Sequence, residues 1–217
     1  LSTYNVPTPK YTVIGHNMKP DLSDMKYPII IKPNAEGSSK GISDISIVSS
    51  DEELDQLLKY NSIHYKGDML AEEYIEGREF TVGILGNGDD MCVFPPMEIL
   101  FHRSAQADYH VYSYTVKQNY KDYVSYSCPS DIDKDTEKEI MDLSRVIYEA
   151  LGCRDFSRID FRLSLDGKIY FIEINPLPGL APGYSDYPML AEFSGVSYNE
   201  LVLRILRAGA SRCGITL

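Results

Sequence analysis

Two carboxylates and an amide stand at the ends of two apolar segments in the last third of the chain. Asp160 follows Arg158 in the first segment, and Glu173 and Asn175 end the second. The sequence Leu-Asp-Gly-Lys at 165–168 joins the segments, which is typical of a β-hairpin with its ligands at the open end. Because side chains two apart on a strand point the same way, Glu173 and Asn175 share a face, and Asp160 can face them from the neighbouring strand. Three hard oxygen ligands on a rigid sheet favour Mg²⁺; the alternative is a hairpin whose acids are merely solvated.

A loop rich in glycine and serine follows an apolar segment in the first fifth of the chain. The segment 27–32 ends in Lys32, and residues 36–41 read Glu-Gly-Ser-Ser-Lys-Gly. Glycine lets backbone N–H groups turn toward an anion, serine adds hydroxyl donors, and lysine supplies a point charge for phosphate. The lysine precedes the loop and no helix start follows directly, so the loop is not a P-loop. Such loops are also ordinary hairpin connections, but the Mg²⁺-type hairpin in the same chain favours phosphate binding.

A third segment, residues 69–82, has the composition of a nucleotide-binding hairpin. Two apolar strands flank the turn Glu-Gly-Arg at 76–78, with acids on each side. A nucleotide base needs an acceptor for its exocyclic amine and an apolar wall, and its ribose needs an acceptor for the hydroxyls. The alternative is a surface hairpin with solvated glutamates. The residues that fit the nucleotide roles are Glu72 or Glu73, Tyr74 with Ile75, and Glu79.

These three segments, in this order and spacing, resemble the ATP-grasp fold, and within it the D-alanine–D-alanine ligase family. The resemblance covers nearly the whole chain, from residues 6–10 to residues 198–206. It implies an α+β fold with two lobes, each built on a mainly antiparallel sheet with helices, and a nucleotide site between them. We expect the first lobe over residues 1–85, including an opening segment 1–18, and the second lobe, with the Mg²⁺ and substrate site, over residues 86–217.

The resemblance implies a role for each of the residues in these motifs. The implied Mg²⁺ ligands are Asp160, Glu173 and Asn175, with Glu173 bridging two ions and Mn²⁺ as an alternative metal. The implied nucleotide-binding residues are Lys32, Glu36, Gly37, Ser38, Ser39, Glu72, Glu73, Tyr74, Ile75, Glu79 and Lys117. The implied catalytic residues are Arg158, Gly179, Ser38 and Lys117, and the implied substrate-binding residues are Arg158, Gly179 and Ser185.

The implied reaction is the ATP-dependent joining of a carboxylate to an amine through an acyl phosphate. Lys32 is expected to contact the α- and β-phosphates of ATP, and Lys117 the γ-phosphate. Arg158 and the backbone N–H of Gly179 are expected to donate to the oxyanion of a tetrahedral intermediate; the alternative for Arg158 is a structural ion pair with Asp160. D-Alanyl-D-alanine for peptidoglycan precursors, made in the cytoplasm, is the leading product. The alternatives are an ATP-grasp ligase with another acceptor, or a nucleotide-binding module without ligase activity.

Two departures from the family pattern leave the second substrate open. The family's loop usually carries Lys-Tyr, whereas Lys117 is followed here by Gln118, so an amide replaces a phenol opposite Ser38. Residues 175–184 are also richer in proline and glycine than the family sequence, which predicts a stiffer loop with a differently shaped mouth. Ser185 follows this loop and matches the position that holds the carboxylate of the second substrate.

Composition agrees with a globular protein that binds small molecules. The chain has 217 residues and is 43% hydrophobic, which is ample for a core. Its net charge of −11 argues against a nucleic-acid partner. The four cysteines lack metal-ligand spacing and indicate free thiols in a reducing cytosol. No apolar run approaches the ~18 residues needed to span a bilayer, and no signal peptide is visible, so we expect no membrane partner.

We expect the chain to be the ATP-grasp portion of a longer protein. Residues 1–7 begin as though at the end of a helix, and ligases of this family carry a further amino-terminal domain that supplies part of the first-substrate pocket. That domain is an expected partner besides the amino acid substrates, and the fragment alone is expected to be inactive. The oligomeric state is left open, with a homodimer as one option.

Two stretches outside the motifs carry predictions of their own. Residues 102–126 have no sustained period and contain six tyrosines, which is typical of an active-site lid that folds over the γ-phosphate. The alternative is a rigid hairpin packed by its tyrosines. The spacing of apolar residues predicts a helix over residues 136–151, with Ile140, Leu143, Ile147 and Leu151 on one stripe.

Overall fold

The computed structural model describes residues 1–16, 18–35, 47–102 and 124–216. It divides into two compact units, which are called the large unit and the small unit below. The large unit consists of Leu1–Thr8, Glu76–Leu100 and Tyr126–Leu217, and the small unit of Pro9–Ile75 and Phe101–Ser125. Antiparallel strand pairs and helices make up the described parts of the chain, as expected for an α+β protein.

The small unit is built on a four-stranded sheet. Its strands are β1 (Tyr11–Ile14), β2 (Ile29–Pro33), β3 (Ile47–Val48) and β4 (Met69–Glu73). They lie in the order β1–β4–β2–β3, and each neighbouring pair is antiparallel. Burial alternates along β2, so that Ile29 and Ile31 enter the core while Lys32 lies on the opposite face.

Helix α1 (Asp51–His64) closes the core of the small unit. The Ser50 hydroxyl accepts the backbone N–H of Glu53, and the Glu53 carboxylate accepts a backbone N–H just before this cap. These two bonds satisfy donors that a helix start leaves without partners. Leu54 and Leu57 are buried in the same apolar cluster as the sheet residues, so the helix is held by its packing as well as by its cap.

The large unit is built on a six-stranded sheet. Its strands are β5 (Gly77–Leu85), β6 (Cys92–Val93), β7 (Met97–Phe101), β8 (Val124–Ser127), β9 (Phe156–Ser164) and β10 (Ile169–Asn175). They lie in the order β10–β9–β5–β7–β8, and β6 also pairs with β5. Strand β5 pairs with β9 along its whole length, from Gly77 opposite Ser164 to Leu85 opposite Phe156. This long pairing makes β5 and β9 the centre of the sheet.

Strands β5 and β9 present one apolar face and one polar face. Phe80 and Ile159 alternate into a fully buried core with Ile140 and Ile147 of helix α2 (Lys134–Ala150). The residues on the other face are Glu79, Thr81 and Gly83 of β5 and Arg158, Asp160 and Arg162 of β9. Alternation therefore separates the side chains that stabilise the sheet from those that can do chemistry.

Helix α2 begins at its cap, Asp133, whose carboxylate accepts the backbone N–H groups of Asp135 and Thr136. The helix ends at Ala150, one residue before the predicted end. Leu151, the last residue of the predicted apolar stripe, occupies the C-cap and is 48% exposed, so it lies outside the helix and outside the core. The chain has already left helical geometry there, and the side chain no longer faces the core.

Two further helices, α3 (Asp186–Phe193) and α4 (Tyr198–Arg212), pack together near the Leu85 end of the sheet. Leu190 of α3 and Leu201 of α4 are fully buried in one apolar cluster with sheet residues. This second core contains Leu85, the last residue of β5, whose side chain lies on the polar face of the sheet. The core therefore brings the start of α3 close to that face.

Gly83 on the polar face of β5 is required by this packing. A Cβ at this position would lie 2.7 Å from the ring of Phe94 and 3.1 Å from the ring of Tyr187. Both rings are buried, and the Tyr187 hydroxyl donates to the carbonyl oxygen of Ile84 at 2.8 Å. The absence of a side chain at residue 83 lets α3 approach the sheet.

The division between the units differs from the boundary expected at residue 85. Strands β4 and β5 were expected to form a hairpin around the turn 76–78, but the pairs of β4 are with β1 and β2, whereas those of β5 are with β6, β7 and β9. Gly77 opens β5 with φ 150°, and a Cβ there would lie 2.0 Å from the carbonyl oxygen of Leu163. The glycine thus allows a close approach of two backbones rather than a turn, and residues 77–85 belong to the large unit.

Within the ranges described, no helix combines the length and the apolar character needed to cross a membrane. The four cysteines of the chain are all free thiols. Cys153 is buried in the core of the large unit, and Cys92 and Cys213 are exposed.

Replacing two glycines by alanine should change stability in opposite directions. Gly83→Ala should lower the free energy of unfolding by about 1–3 kcal/mol, because the new methyl group overpacks against two buried rings. Gly209→Ala lies inside α4, where a Cβ meets nothing nearer than 3.6 Å, and should raise it by up to about 1 kcal/mol through helix propensity. Denaturant unfolding of both variants measures the difference. A Gly83→Ala protein as stable as the wild type would contradict the close approach of α3.

Candidate active site

The β9–β10 hairpin places the predicted metal ligands on one face. Asp160 lies directly opposite Glu173, and Arg158 lies opposite Asn175. Directly opposed residues of an antiparallel pair have Cβ atoms about 4.5–5.5 Å apart. A register irregularity between Phe171 and Glu173 precedes the pair. The structure therefore brings Asp160, Glu173 and Asn175 together, with Arg158 among them.

Arg158 is the centre of a cluster of charges on this face. Its Nε and Nη2 donate to the two carboxylate oxygens of Asp160 at 3.1 and 2.8 Å, and its Nη1 donates to Asp186 Oδ2 at 2.9 Å. Glu173 Oε1 lies 3.8 Å from Nη2. The ion pair with Asp160, given above as the alternative for Arg158, is present. Three of the five N–H donors of the guanidinium are used in these bonds.

Burial and charge act in opposite directions on Arg158. The residue is 7% exposed, and burial alone would lower the pKa of its guanidinium. The neighbouring carboxylates of Asp160 and Asp186 outweigh this and raise that pKa well above its ordinary value. Arg158 is therefore a permanent cation on the polar face.

Asp186 is the residue of this cluster that the sequence did not single out. It is the first residue of α3 and only 6% exposed. Besides the bond from Arg158, it accepts a hydrogen bond from the Tyr126 hydroxyl at 3.1 Å. An acid at the first position of a helix is common because it complements the helix dipole. The residue type of Asp186 and its position in the sequence therefore did not indicate a functional site. Its contact with Arg158, 28 residues away, follows only from the fold.

The loop between β10 and α3 brings Gly179 and Ser185 together. A Cβ at Gly179 would lie 2.7 Å from Ser185 Oγ. The Ser185 hydroxyl accepts the backbone N–H of Ala181 at 3.2 Å, and Asn175 Oδ1 accepts the N–H of Leu177 at 3.1 Å. The loop is thus closed on itself by short-range bonds, and the two expected substrate-binding residues are neighbours.

In the small unit, Lys32 and Glu72 form an ion pair. They lie on adjacent strands, with Ile30 opposite Glu72 and Lys32 opposite Leu70, and their side chains are 15% and 11% exposed. A phosphate that binds Lys32 must therefore compete with the Glu72 carboxylate. The pair puts both of these expected nucleotide-binding side chains on one face of the sheet.

The residues after Glu72 have backbone partners in the same unit. Glu73 accepts the N–H of Lys26 through its carboxylate at 2.8 Å, and Tyr74 donates its N–H to the carbonyl oxygen of Pro28 at 2.9 Å. Of the two candidate acceptors for a base, Glu72 is the more buried. The Glu73 carboxylate already accepts a hydrogen bond from the backbone. Ile75 is the last residue of the small unit's first segment.

Glu79 has a partner that the sequence did not indicate. It lies directly opposite Arg162 on the polar face, and Arg162 Nη2 is 2.8 Å from Glu79 Oε2. The two side chains are 15% and 6% exposed. A ribose hydroxyl that binds Glu79 would share the carboxylate with this guanidinium.

Several expected site residues lie outside the described residues. They are Glu36, Gly37, Ser38, Ser39 and Lys117, together with Gln118 and most of the segment 102–126. The described residues contain no group of three or more histidine, cysteine, aspartate and glutamate side chains that could hold a metal ion. The expected Mg²⁺ set consists of two carboxylates and an amide. Its donors are all hard oxygens, beside a third carboxylate on the same guanidinium, which fits Mg²⁺ chemistry.

Removing the central guanidinium should be costly. Arg158→Met should lower the free energy of unfolding by about 3–5 kcal/mol, because the buried carboxylate of Asp186 and the partly buried carboxylate of Asp160 lose their shared cation. Arg204→Met is a matched control, since Arg204 pairs with Glu200 at 2.8 Å on the exposed face of α4, and it should cost under about 1 kcal/mol. Urea unfolding measures both. Equal losses would contradict a buried charge cluster at Arg158.

The chain matches a family model described as "D-ala D-ala ligase C-terminus" over residues 4–207. Among curated relatives, the D-alanine–D-alanine ligase of Cupriavidus necator is 32% identical over 208 residues, covering 95% of this chain and 60% of that protein. That of a Marinomonas species is 33% identical over 211 residues, covering 96% and 62%. The chain spans about 60% of the length of these relatives.

Solved structures agree with the family match. The VanG D-Ala:D-Ser ligase of Enterococcus faecalis has a TM-score of 0.76 at 28% identity, with 95% of this chain and 58% of that chain covered. The ATP complex of the D-alanine–D-alanine ligase of Bacillus anthracis has a TM-score of 0.74 at 22% identity, with 96% and 63% covered, and shows the shared fold alone. The ATP-grasp fold and the resemblance seen in the sequence are thereby confirmed. The chain belongs to the D-alanine–D-alanine ligase family, matching its carboxyl-terminal part.

Proposed function

We propose that this protein is an ATP-dependent carboxylate–amine ligase that joins D-alanine to a second small D-amino acid. The observation that carries the proposal is the opposed pair of Asp160 and Glu173, with the buried Arg158 beside it on one rigid face. The names of the relatives, D-alanine–D-alanine and D-Ala:D-Ser ligases, supply the substrate class. Because such a ligase consumes ATP, the cytoplasm is its proposed location.

The proposed reaction has two steps. A carboxylate oxygen of the first amino acid attacks the γ-phosphorus of ATP, ADP leaves, and an acyl phosphate forms. The amine of the second amino acid then attacks the acyl carbon, and phosphate leaves as the amide forms. Catalysis of this kind consists mainly of positioning and charge stabilisation.

The residues of the large unit would stabilise the charges of this reaction. Asp160, Glu173 and Asn175 would hold Mg²⁺, which when bound neutralises the phosphate oxygens of the nucleotide. The Arg158 guanidinium keeps two N–H donors beyond its described bonds and would donate to the oxyanion of the tetrahedral intermediate. The backbone N–H of Gly179 would be the second donor.

The substrate loop would select the second amino acid. Ser185 Oγ lies beside Gly179, at a distance that leaves no room for a Cβ there. A hydroxyl in this position can donate to the carboxylate of a small amino acid bound against the loop. Phosphate release from ATP by the full-length enzyme, across a panel of D- and L-amino acids, tests the assignment. The expected result is release that depends on D-alanine, and release stimulated instead by an unrelated amine would favour another acceptor.

In the small unit, Lys32 would contact the nucleotide phosphates and Glu72 the exocyclic amine of the base. Their existing ion pair supports this, since it shows that the two groups share one face of the sheet. The pair also predicts that the Lys32 side chain is already oriented before nucleotide binds. Glu79, a residue of the large unit, would accept a hydrogen bond from a ribose hydroxyl while it remains paired with Arg162.

Lys32→Met should weaken the binding of a nonhydrolysable ATP analogue with Mg²⁺ by at least about tenfold, or ~1.4 kcal/mol. The lost interaction is a point charge beside phosphate. Lys59→Met, which removes an exposed lysine of α1 in the same unit, should bind as the wild type does. Calorimetry on folded samples measures both affinities. Unchanged affinity in Lys32→Met would remove this residue from the nucleotide site.

In the full-length enzyme, Glu173→Gln should lower kcat by orders of magnitude and leave the fold intact. The amide keeps the shape and hydrogen bonding of the side chain but removes the charge that would hold the cation. Glu192→Gln, an exposed acid on α3, should keep full activity. A Glu173→Gln enzyme with more than about a tenth of the wild-type rate, a loss under ~1.4 kcal/mol, would rule out the metal role.

A further inference from the structure

Asp186 accepts hydrogen bonds from two strands of the large unit, β9 and β8. Its Oδ2 accepts from Arg158 Nη1 on β9 at 2.9 Å, and its Oδ1 accepts from the Tyr126 hydroxyl on β8 at 3.1 Å. The residue is 6% exposed. A buried carboxylate is costly unless it is paired and hydrogen-bonded, so this arrangement fixes the side chain in one orientation.

Arg158 divides its hydrogen bonds between two carboxylates that come from different parts of the fold. Nε and Nη2 donate to Asp160, whereas Nη1 donates to Asp186. Asp160 lies opposite Glu173 on the hairpin and is a proposed Mg²⁺ ligand. Asp186 comes from α3 instead and is oriented by Tyr126, so it belongs to a different part of the fold.

A cation bound at Asp160 would disturb half of this arrangement. Such a cation would draw the charge of the Asp160 oxygens toward itself and would repel the Arg158 guanidinium, and both effects would weaken the bidentate bond between Arg158 and Asp160. A guanidinium that lost this anchor would be free to rotate about its long side chain. It would then lose the position that charge stabilisation in the transition state requires.

We propose that Asp186 is the positioning residue that keeps Arg158 in place when Asp160 is engaged by a divalent cation. This inference rests on the proposed function, because it takes Asp160 as a metal ligand. Asp186 follows Ser185 directly in sequence, so the same bond also ties the substrate loop to the guanidinium. The chain therefore couples metal binding, Arg158 and the second-substrate loop through one buried carboxylate.

The motion of the Arg158 side chain tests the proposal without measuring activity. In ¹⁵N relaxation, the Nε–H group of Arg158 in the wild type should stay rigid, with an order parameter of about 0.85, with or without Mg²⁺. In Asp186→Asn it should be rigid without the ion, because Asp160 still holds it, and fall below about 0.6 with Mg²⁺. Glu192→Gln, an acid-to-amide change on the exposed side of the same helix, should behave as the wild type.

A parallel sample with Mn²⁺ separates this inference from the proposed function. Mn²⁺ should broaden the backbone signals of Asp160 and Glu173 in both proteins. If the broadening occurs and Arg158 stays rigid in Asp186→Asn with Mg²⁺, the positioning role is wrong while the metal site stands. If no broadening occurs even in the wild type, the metal role of Asp160 fails and the inference fails with it.

Kinetics supply a second readout. In the full-length enzyme, Asp186→Asn should lower kcat at least tenfold and leave the KM for ATP within twofold, because the proposed nucleotide-binding residues Lys32, Glu72 and Glu79 are unchanged. Loss of kcat together with an equal rise in the KM for ATP would indicate general disruption and overturn the proposal. If Asp186→Asn does not fold, Tyr126→Phe replaces it, since it keeps the carboxylate and removes one of its two described donors. Because the carboxylate keeps its bond to Arg158 but loses the hydroxyl that orients it, the order parameter of Arg158 with Mg²⁺ should fall partway in this variant, and a value equal to that of the wild type would again overturn the proposal.

Discussion

The guanidinium of Arg158, buried among carboxylates, is the interaction on which the polar face of the large unit depends. Asp160 comes from the same strand and Asp186 from the start of α3, and both bond to the one cation. Glu173, on the next strand, lies close to it. A single positive charge thus organises acids from three elements that would otherwise repel one another. The structure can keep an acidic site in a buried place only because this cation is held there.

The sheet makes this arrangement possible because one of its faces packs in the apolar core and the other carries the charged residues. Phe80 and Ile159 pack on α2 and stabilise the fold, while their neighbours along the two strands, Glu79, Arg158 and Asp160, carry charge on the other face. The ion pair of Glu79 with Arg162 repeats the pattern two residues along the strand from Asp160. Substitutions on the polar face can therefore alter chemistry without removing apolar contacts from the main core.

The sequence predicted what depends on neighbours along the chain and missed what depends on distant contacts. The hairpin that opposes Asp160 and Glu173 was predicted because alternation and an Asp-Gly turn are local signals. The Glu-Gly-Arg segment was misread as a turn, because a glycine needed for close backbone approach looks the same as a turn glycine. The role of Asp186 and the Arg162 partner of Glu79 could not be predicted, since both pairs join residues far apart in sequence.

The long pairing of β5 with β9 has a consequence for synthesis on the ribosome. β5 ends at Leu85 and β9 begins at Phe156, so the edge of β5 that β9 covers is made long before its partner. At about 5–20 residues per second, the delay is on the order of several seconds. During that time a strand with one apolar face and unsatisfied backbone groups is a template for pairing with other chains. The nascent chain therefore exposes an unpaired edge of β5 until β9 emerges.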